Sequence, residues 1–304
     1  MSGSDHKAWL TAVPVADRAQ LTAKSDRAGL LHLAGHLGAI TVVSALIAAQ
    51  IPFWFLMLPV QGVLIVFLFT LEHECTHKTP FASARLNEGI GQVCGLFLLL
   101  PFRWFRSFHL AHHRWTNQAG QDPELDTAKP VSAAGWVWHI SGLPYWIANV
   151  RLLIRLALGR EAARYLPTGA IAEMRTEALG MILVYAAAAV SLAFSQMILW
   201  LWIIPVVLGQ PFLRLYLMAE HGDCPQVTNM FFNSRTTLTT GLVRFLAWNM
   251  PFHIEHHVWP QVPFHHLPAL HDRLKAHLGV TAPGYIALSR VYLARHIAPD
   301  KGSE

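Results

Sequence analysis

Charge is scarce in this sequence. Asp, Glu, Lys and Arg make up 13 % of its 304 residues and hydrophobic types 53 %, whereas ordinary soluble domains are about a quarter charged. That balance excludes a disordered chain and argues against a conventional water-soluble enzyme. Cysteine is nearly missing too: Cys75, Cys94 and Cys224 include no close pair. No disulfide framework is expected, and reduced thiols facing the cytoplasm fit better. A cleavable signal pattern, an internal repeat and a low-complexity tract are all lacking. The formal net charge of +5 would suit nucleic-acid binding only if it formed one basic patch. It does not, and no nucleic-acid partner is expected.

The 23 Lys and Arg fall within 1–27, within 78–175 and from Arg214 onward, leaving none in 28–77 or 176–213. A membrane span needs roughly 20 apolar residues, so each gap has room for about two. The first gap reads as spans near 30–49 and 53–72 joined at Gln50-Ile51-Pro52. The second reads as spans near 178–194 and 197–218 joined at Ser195-Gln196, the last containing Pro205 and Pro211. Both turns lack positive charge and all three flanking blocks carry it, which places both termini and the long central loop on the cytoplasmic side. The expected fold is an all-α integral membrane protein: four transmembrane helices as two hairpins, with a cytosolic helical cap. Residues 1–29 and 281–304 read as cytosolic tails around a membrane domain over 30–280. Arg214 is expected to snorkel to the cytoplasmic surface. The apolar run 89–102 is short for a span and suits a re-entrant or interfacial segment. Between 134 and 165, Trp136, Trp138 and Trp146 share a moderately apolar stretch with four Arg, a composition suited to helices lying in the membrane interface.

Histidine is plentiful, with 18 residues, and it clusters. His73-Glu-Cys-Thr-His77, His109-Leu-Ala-His112-His113 and His253-Ile-Glu-His256-His257 place imidazoles at i, i+3 and i+4, one helix face each. A single such pair is ordinary, but three on one membrane face are not. Eight imidazoles exceed what one four-coordinate ion can use, so two metals are expected. His221, in Ala-Glu-His-Gly at the end of the fourth span, is the counterpart of His73 and the ninth candidate. His6, His32, His36, His139, His265, His266, His271, His277 and His296 match no box. Ligating imidazoles usually donate their second N–H to a carboxylate, and Asp122, Glu220 and Glu255 are the candidates for that role. A metal transporter or a bis-His haem protein is the rival from another class. Transporters, however, keep ionisable ligands at the bilayer midplane, and the boxes here lie outside the expected spans.

The motifs HECTHKT (73–79), HLAHHRWTN (109–117) and WNMPFHIEHHVWPQVPFH (248–265) resemble those of the membrane fatty acid desaturase family over roughly residues 30–280. The resemblance implies a non-haem di-iron centre held by His73, His77, His109, His112, His113, His221, His253, His256 and His257, with zinc a recombinant substitute. It implies O2 as co-substrate and oxidation of an unactivated C–H pair in an acyl chain. With no fused haem or iron–sulfur domain expected, electrons would come from a separate ferredoxin- or cytochrome-type donor. An apolar tunnel would hold the substrate, with Phe67, Leu71, Trp115, Leu217 and Trp248 as candidate lining. The resemblance leaves desaturation, hydroxylation, oxidative decarboxylation to a terminal alkene, and desaturation of a small non-lipid substrate open. The bacterial inner membrane is the expected location.

Overall fold

A computed structural model describes residues 5–127 and 129–296. Its helices are α1 (His6–Ala12), α2 (Val15–Leu21), α3 (Asp26–Ala48), α4 (Met57–Val66), α5 (Leu68–His77), α6 (Ala84–Leu98), α7 (Phe102–Trp115), α8 (Ala133–Ile140), α9 (Leu143–Ala157), α10 (Ile171–Ser191), α11 (Ile204–His221), α12 (Gly241–Leu246), α13 (His253–Val258), α14 (Leu267–Leu274) and α15 (Tyr285–His296). Among the described residues the only sheet is the parallel pair β1 (Thr236–Thr237) and β2 (Thr281–Ala282).

Four helical runs are long and apolar enough to cross a membrane: α3 with the residues leading into it, Trp54–His77, α10, and Leu199–His221. They overlap the charge gaps, but all four run past the expected bounds, the first and third at their starts, from Val15 and Ile171. The second continues through α5 to His77 and the fourth ends on His221, so three candidate ligands ride on the spanning rods themselves. The α4–α11 pair is the centre of the molecule. A Cβ on Gly62 would lie 2.1 Å from the Pro205 carbonyl oxygen, and one on Gly209 would lie 2.4 Å from the Gly62 backbone. Small residues at this crossing let two backbones touch. Pro205 deprives the Leu201 carbonyl of its helical donor, and a π-helical turn (Leu199–Ile203) precedes it. The buried Gln61 amide donates to that carbonyl at 3.3 Å and to Ser44 Oγ at 2.8 Å, as a dry environment requires.

The run 89–102 forms most of α6, which is not among the four spanning candidates. Its end is sealed by protein. Leu99 turns left-handed and the Leu100 N–H bonds back to the Gly95 carbonyl at 2.9 Å. The last carbonyls, of Leu96, Phe97 and Leu98, accept from Tyr185, Trp202 and Tyr145 at 2.7, 3.0 and 2.6 Å. These are the groups a helix normally leaves to water. The next helix begins on a carboxylate, Glu177, which accepts from the Phe102 and Arg103 N–H groups at 3.0 Å each. A short apolar helix can therefore reverse here without an exposed polar group.

Both ends of the described chain carry packed structure. Within 1–29, α1 and α2 pack on the body through His6, Val13 and Leu21, all buried. Within 281–304, β2 pairs with β1, and Tyr292 on α15 donates to the Pro130 carbonyl at 3.0 Å. Residues 1–4 and 297–304 lie outside the described range. On α9, Leu152, Leu153 and Leu156 pack against Met174, Ala178 and Met181 of α10. The opposite stripe of Leu143, Ile147, Val150, Ile154 and Leu158 is exposed, an unpartnered apolar face of the kind an interfacial helix presents to lipid.

Candidate metal centre

Helical spacing on four elements brings the nine imidazoles together: His73 and His77 from α5, His109, His112 and His113 from α7, His221 from α11, and His253, His256 and His257 from α13. Eight are buried and His77 is half-buried. They form two groups. In the first, His73, His77, His109, His113 and His256 have ligand atoms within 4.8 Å of one another; in the second, His112, His221 and His257 do. His253 joins the second, its Nε2 lying 2.9 Å from His221 Nε2 and 3.1 Å from His257 Nε2.

The hydrogen-bond partners assign the tautomers. His112 donates Nδ1–H to Asp122 at 3.0 Å, and His221 donates Nδ1–H to the Asn233 carbonyl at 3.3 Å. The Thr116 hydroxyl donates to the His112 carbonyl at 2.8 Å, so it accepts from His257 Nδ1 at 3.2 Å. Each of these rings thus carries its lone pair on Nε2. Yet His112 Nε2 and His221 Nε2 face each other at 3.1 Å, and two lone pairs cannot satisfy one another. In the first group the rings face each other as closely, His77 Nε2 at 2.8 Å from His109 Nε2 and His113 Nε2 at 3.2 Å from His256 Nε2, with no Nδ1 bond to fix the tautomer of His73, His113 or His256. A cation between the rings resolves the conflict, and neutral imidazole is the form that ligates.

Electrostatics agree. Burial first, then repulsion among neighbouring imidazoles, holds His109, His113, His253, His256 and His257 well below the ordinary imidazole range. His112 differs: burial pulls its pKa down, but Glu124 and Asp122 outweigh it and the net shift is upward.

Of the three carboxylates expected behind the ligands, Asp122 is in place, also accepting from the Asn117 N–H at 2.7 Å and the Glu124 N–H at 2.9 Å. Glu220 approaches His253 Nδ1 at 3.4 Å, within ion-pair range but off the hydrogen-bond line. Glu255 is not there. It accepts from Thr236 and pairs with His271, both at 2.5 Å, because position i+2 from His253 points away from the ligand face of α13. Sequence reasoning missed Glu74, whose Oε1 lies 3.4 Å from His256 Nδ1 while its Oε2 accepts from Thr79 and the Phe264 N–H, each at 3.1 Å. It also missed Glu124, 3.1 Å from His112 Nδ1. Both stand within or shortly after a box, which was the available signal. The Asn233 carbonyl gave none.

A cavity of about 380 Å³ opens beside the imidazoles, walled by Phe69, Leu100, Trp104, Phe105 and Phe108 on one side and bounded by His73, His109, His112, His221 and His253. Of the residues expected to line a tunnel, only Leu217 does so. Phe67 packs edge-on against Tyr216, Leu71 is wholly buried in the core, and Trp248 donates to His36 Nδ1 at 3.3 Å. Trp115 faces a separate groove with Arg106, Arg114 and Arg164. Proximity to a box in sequence put these side chains on the wrong faces of their elements.

Left-handed, non-glycine residues mark the edges of the ligand segments: Lys78 after the first box, Asn117 after the second, Asp223 after His221, and Trp248 and Asn249 in succession before the third. Such conformations persist where surrounding structure over-determines them, commonly at functional sites. The Trp248–Asn249 turn is gripped from α3: His32 packs on Trp248 with ring centroids 4.3 Å apart and bonds the Phe245 carbonyl at 2.8 Å.

Residues 49–289 match the family model described as fatty acid desaturase. The chain is 24 % identical over 268 residues to an sn-1 oleoyl-lipid 12-desaturase of Picosynechococcus sp., covering 80 % of this chain and 76 % of that one. It is 23 % identical over 285 residues to an sn-1 acyl-lipid omega-3 desaturase (ferredoxin) of Synechocystis sp., covering 84 % and 79 %. A sphingolipid delta(4)-desaturase/C4-monooxygenase of Mus musculus is 28 % identical over 205 residues, covering 64 % and 58 %.

Proposed function

Since the chain belongs to the fatty acid desaturase family, we propose that it is an integral-membrane di-iron oxidoreductase that desaturates a fatty acyl or similar hydrophobic chain. The observation that carries this reading is the convergence of imidazole nitrogens in two groups beside one largely apolar cavity. In this reading His73, His77, His109, His113 and His256 hold one ion, and His112, His221, His253 and His257 the other. Two irons, once bound and reduced by a separate ferredoxin- or cytochrome-type donor, would supply the O2-dependent oxidation of an unactivated C–H pair. The rest is the work of the chain's own residues. Asp122, the Asn233 carbonyl and Thr116 fix three tautomers, so that Nε2 is presented without reorganisation. Trp104, Phe105 and Phe108 hold a chain against the ring wall and exclude water.

The topology belongs to the same proposal: two hairpins, α6 re-entrant, and the metal centre with both termini on the cytoplasmic side of a bacterial inner membrane. The sealed end of α6 and the missing positive charge in both turns support it. The acyl-lipid substrates of the two cyanobacterial relatives, and the ferredoxin that serves one of them, favour an acyl lipid and a ferredoxin-type donor. The same centre would also serve hydroxylation or decarboxylation, and the product separates these outcomes. The test is metal analysis of protein from iron-replete cells, with lipid profiling of the host. About two irons per chain and a new double bond are expected. Less than one iron, with no loss on His112→Ala, would overturn the reading. Zinc in place of iron would not, since zinc outranks Fe(II) for such ligands.

A further inference from the structure

The cavity beside the imidazoles has a second, polar wall with no part in the metal centre. Arg214, on α11, does not snorkel to open water as expected. It turns into the cavity, its guanidinium carbon 4.6 Å from the Tyr145 ring centroid. Its Nε is shielded from water without a hydrogen-bond partner, and the side chain forms no hydrogen bond or ion pair with any described residue. Asn149, 6 % exposed, and His139 line the same wall, and their side chains make no hydrogen bond to a described residue either. The cavity's two carboxylates lie nearer to imidazoles, Glu124 to His112 at 3.1 Å and Glu220 to His253 at 3.4 Å, and neither forms an ion pair with Arg214, while Lys129 Nζ donates to the His221 carbonyl at 3.1 Å. Stacking on Tyr145 fixes the guanidinium plane and leaves its donor edge free.

Glu220 and Glu124 attract the half-buried guanidinium without touching it, so its donors are left unpaired, and an ionisable side chain within a spanning helix commonly marks a substrate path. The guanidinium fork suits a carboxylate or phosphate bidentately. Arg214 and His221 stand seven residues apart on one face of α11, about 10 Å along the axis. We propose that Arg214, with Asn149 and His139, binds the anionic end group of the substrate, a carboxylate or a phosphate, and so sets which carbon reaches the metal centre. This rests on the reading of the centre given above and adds the substrate's charged end to it.

The test compares laurate, methyl laurate and lauryl phosphate for binding to the metal-loaded full chain in zwitterionic nanodiscs, by calorimetry. Wild type is expected to bind at least one of the two anions about tenfold tighter than the ester, the scale of a charge-assisted hydrogen bond. Arg214→Gln should erase that preference by weakening the anion alone, and Arg214→Lys should keep part of it, with iron content unchanged in both. Preference for laurate identifies a free acid, and preference for lauryl phosphate a phospholipid headgroup. Equal binding of ester and anions by wild type overturns the proposal whatever the variants do. So does an Arg214→Gln variant that weakens the ester as much as the anion. A chain that prefers the anion but holds no iron, or oxidises nothing, would refute the metal reading and with it the positioning role, leaving only an anion site at Arg214.

Discussion

The inner pair of spanning helices and the outer pair are built to different rules. Of the most apolar stretch of each, 56 % of residues are buried in the Trp54–His77 run and 33 % in the Leu199–His221 run, against 11 % and 17 % for the runs containing α3 and α10. The inner two meet backbone to backbone at Gly62 and Gly209 and end on His73, His77 and His221. The outer two leave Leu31, Val42, Leu183 and Val190 exposed, the faces that lipid would cover. Helices that carry ligands are clamped by small-residue packing, because lipid offers no hydrophobic drive to hold them together. Helices that only shield them need fit nothing.

That contrast can be broken in order of expected effect. His256→Ala should cost more than 100-fold in activity along with one ion, read by iron analysis and product formation, whereas His296→Ala, outside the boxes, should cost nothing measurable. Gly62→Leu or Gly209→Leu should destabilise the fold by on the order of 3 kcal/mol, read as loss of detergent-stable monomer, since the new side chain would collide with the facing backbone. Asp122→Asn should keep the fold and weaken metal retention by roughly 10- to 100-fold in a chelator competition. A pH series sharpens the picture away from the ligands. Burial, with His266 beside it, lowers the His265 pKa to about 4. The unfolded chain therefore binds the proton first as pH falls. Stability should be full above the unfolded value of about 6.5, fall between there and 4, and level off below. Thermal melts of His265→Gln should lose that part of the slope. The smallest effect belongs to the outer helices: at Gly38 and Gly180 an added Cβ meets nothing within 4 Å, so leucine there should change stability by less than about 0.5 kcal/mol. A large loss at Gly180 would mean that the two pairs are not differently built.

The four spans were legible because positive charge vanishes from 28–77 and 176–213, a signal that needs no tertiary knowledge. The boxes were legible because i, i+3, i+4 spacing is a local property. What lay beyond reach depends on where a distant element puts its backbone. Glu74 is oriented partly by the Phe264 amide, and His221 is oriented by the Asn233 carbonyl, which no composition announces. Glu255 shows the opposite failure: an acid within a box was matched to a ligand, although its position on α13 faces Thr236 and His271. Phe67, Leu71, Trp115 and Trp248 stand away from the cavity that Leu217 lines for a related reason, since most apolar side chains near a box serve the core.

The grip of α3 on the Trp248 turn has a consequence for how the protein is made. His36 and Trp248 are 212 residues apart, so α3 must wait through the synthesis of more than two hundred residues for the segment it will brace. Until that segment emerges, His73, His77, His109, His112, His113 and His221 are present without the three rings that complete either group. An ion delivered to a nascent chain would thus meet an unfinished nest, completed only by the helix that follows the Trp248 turn.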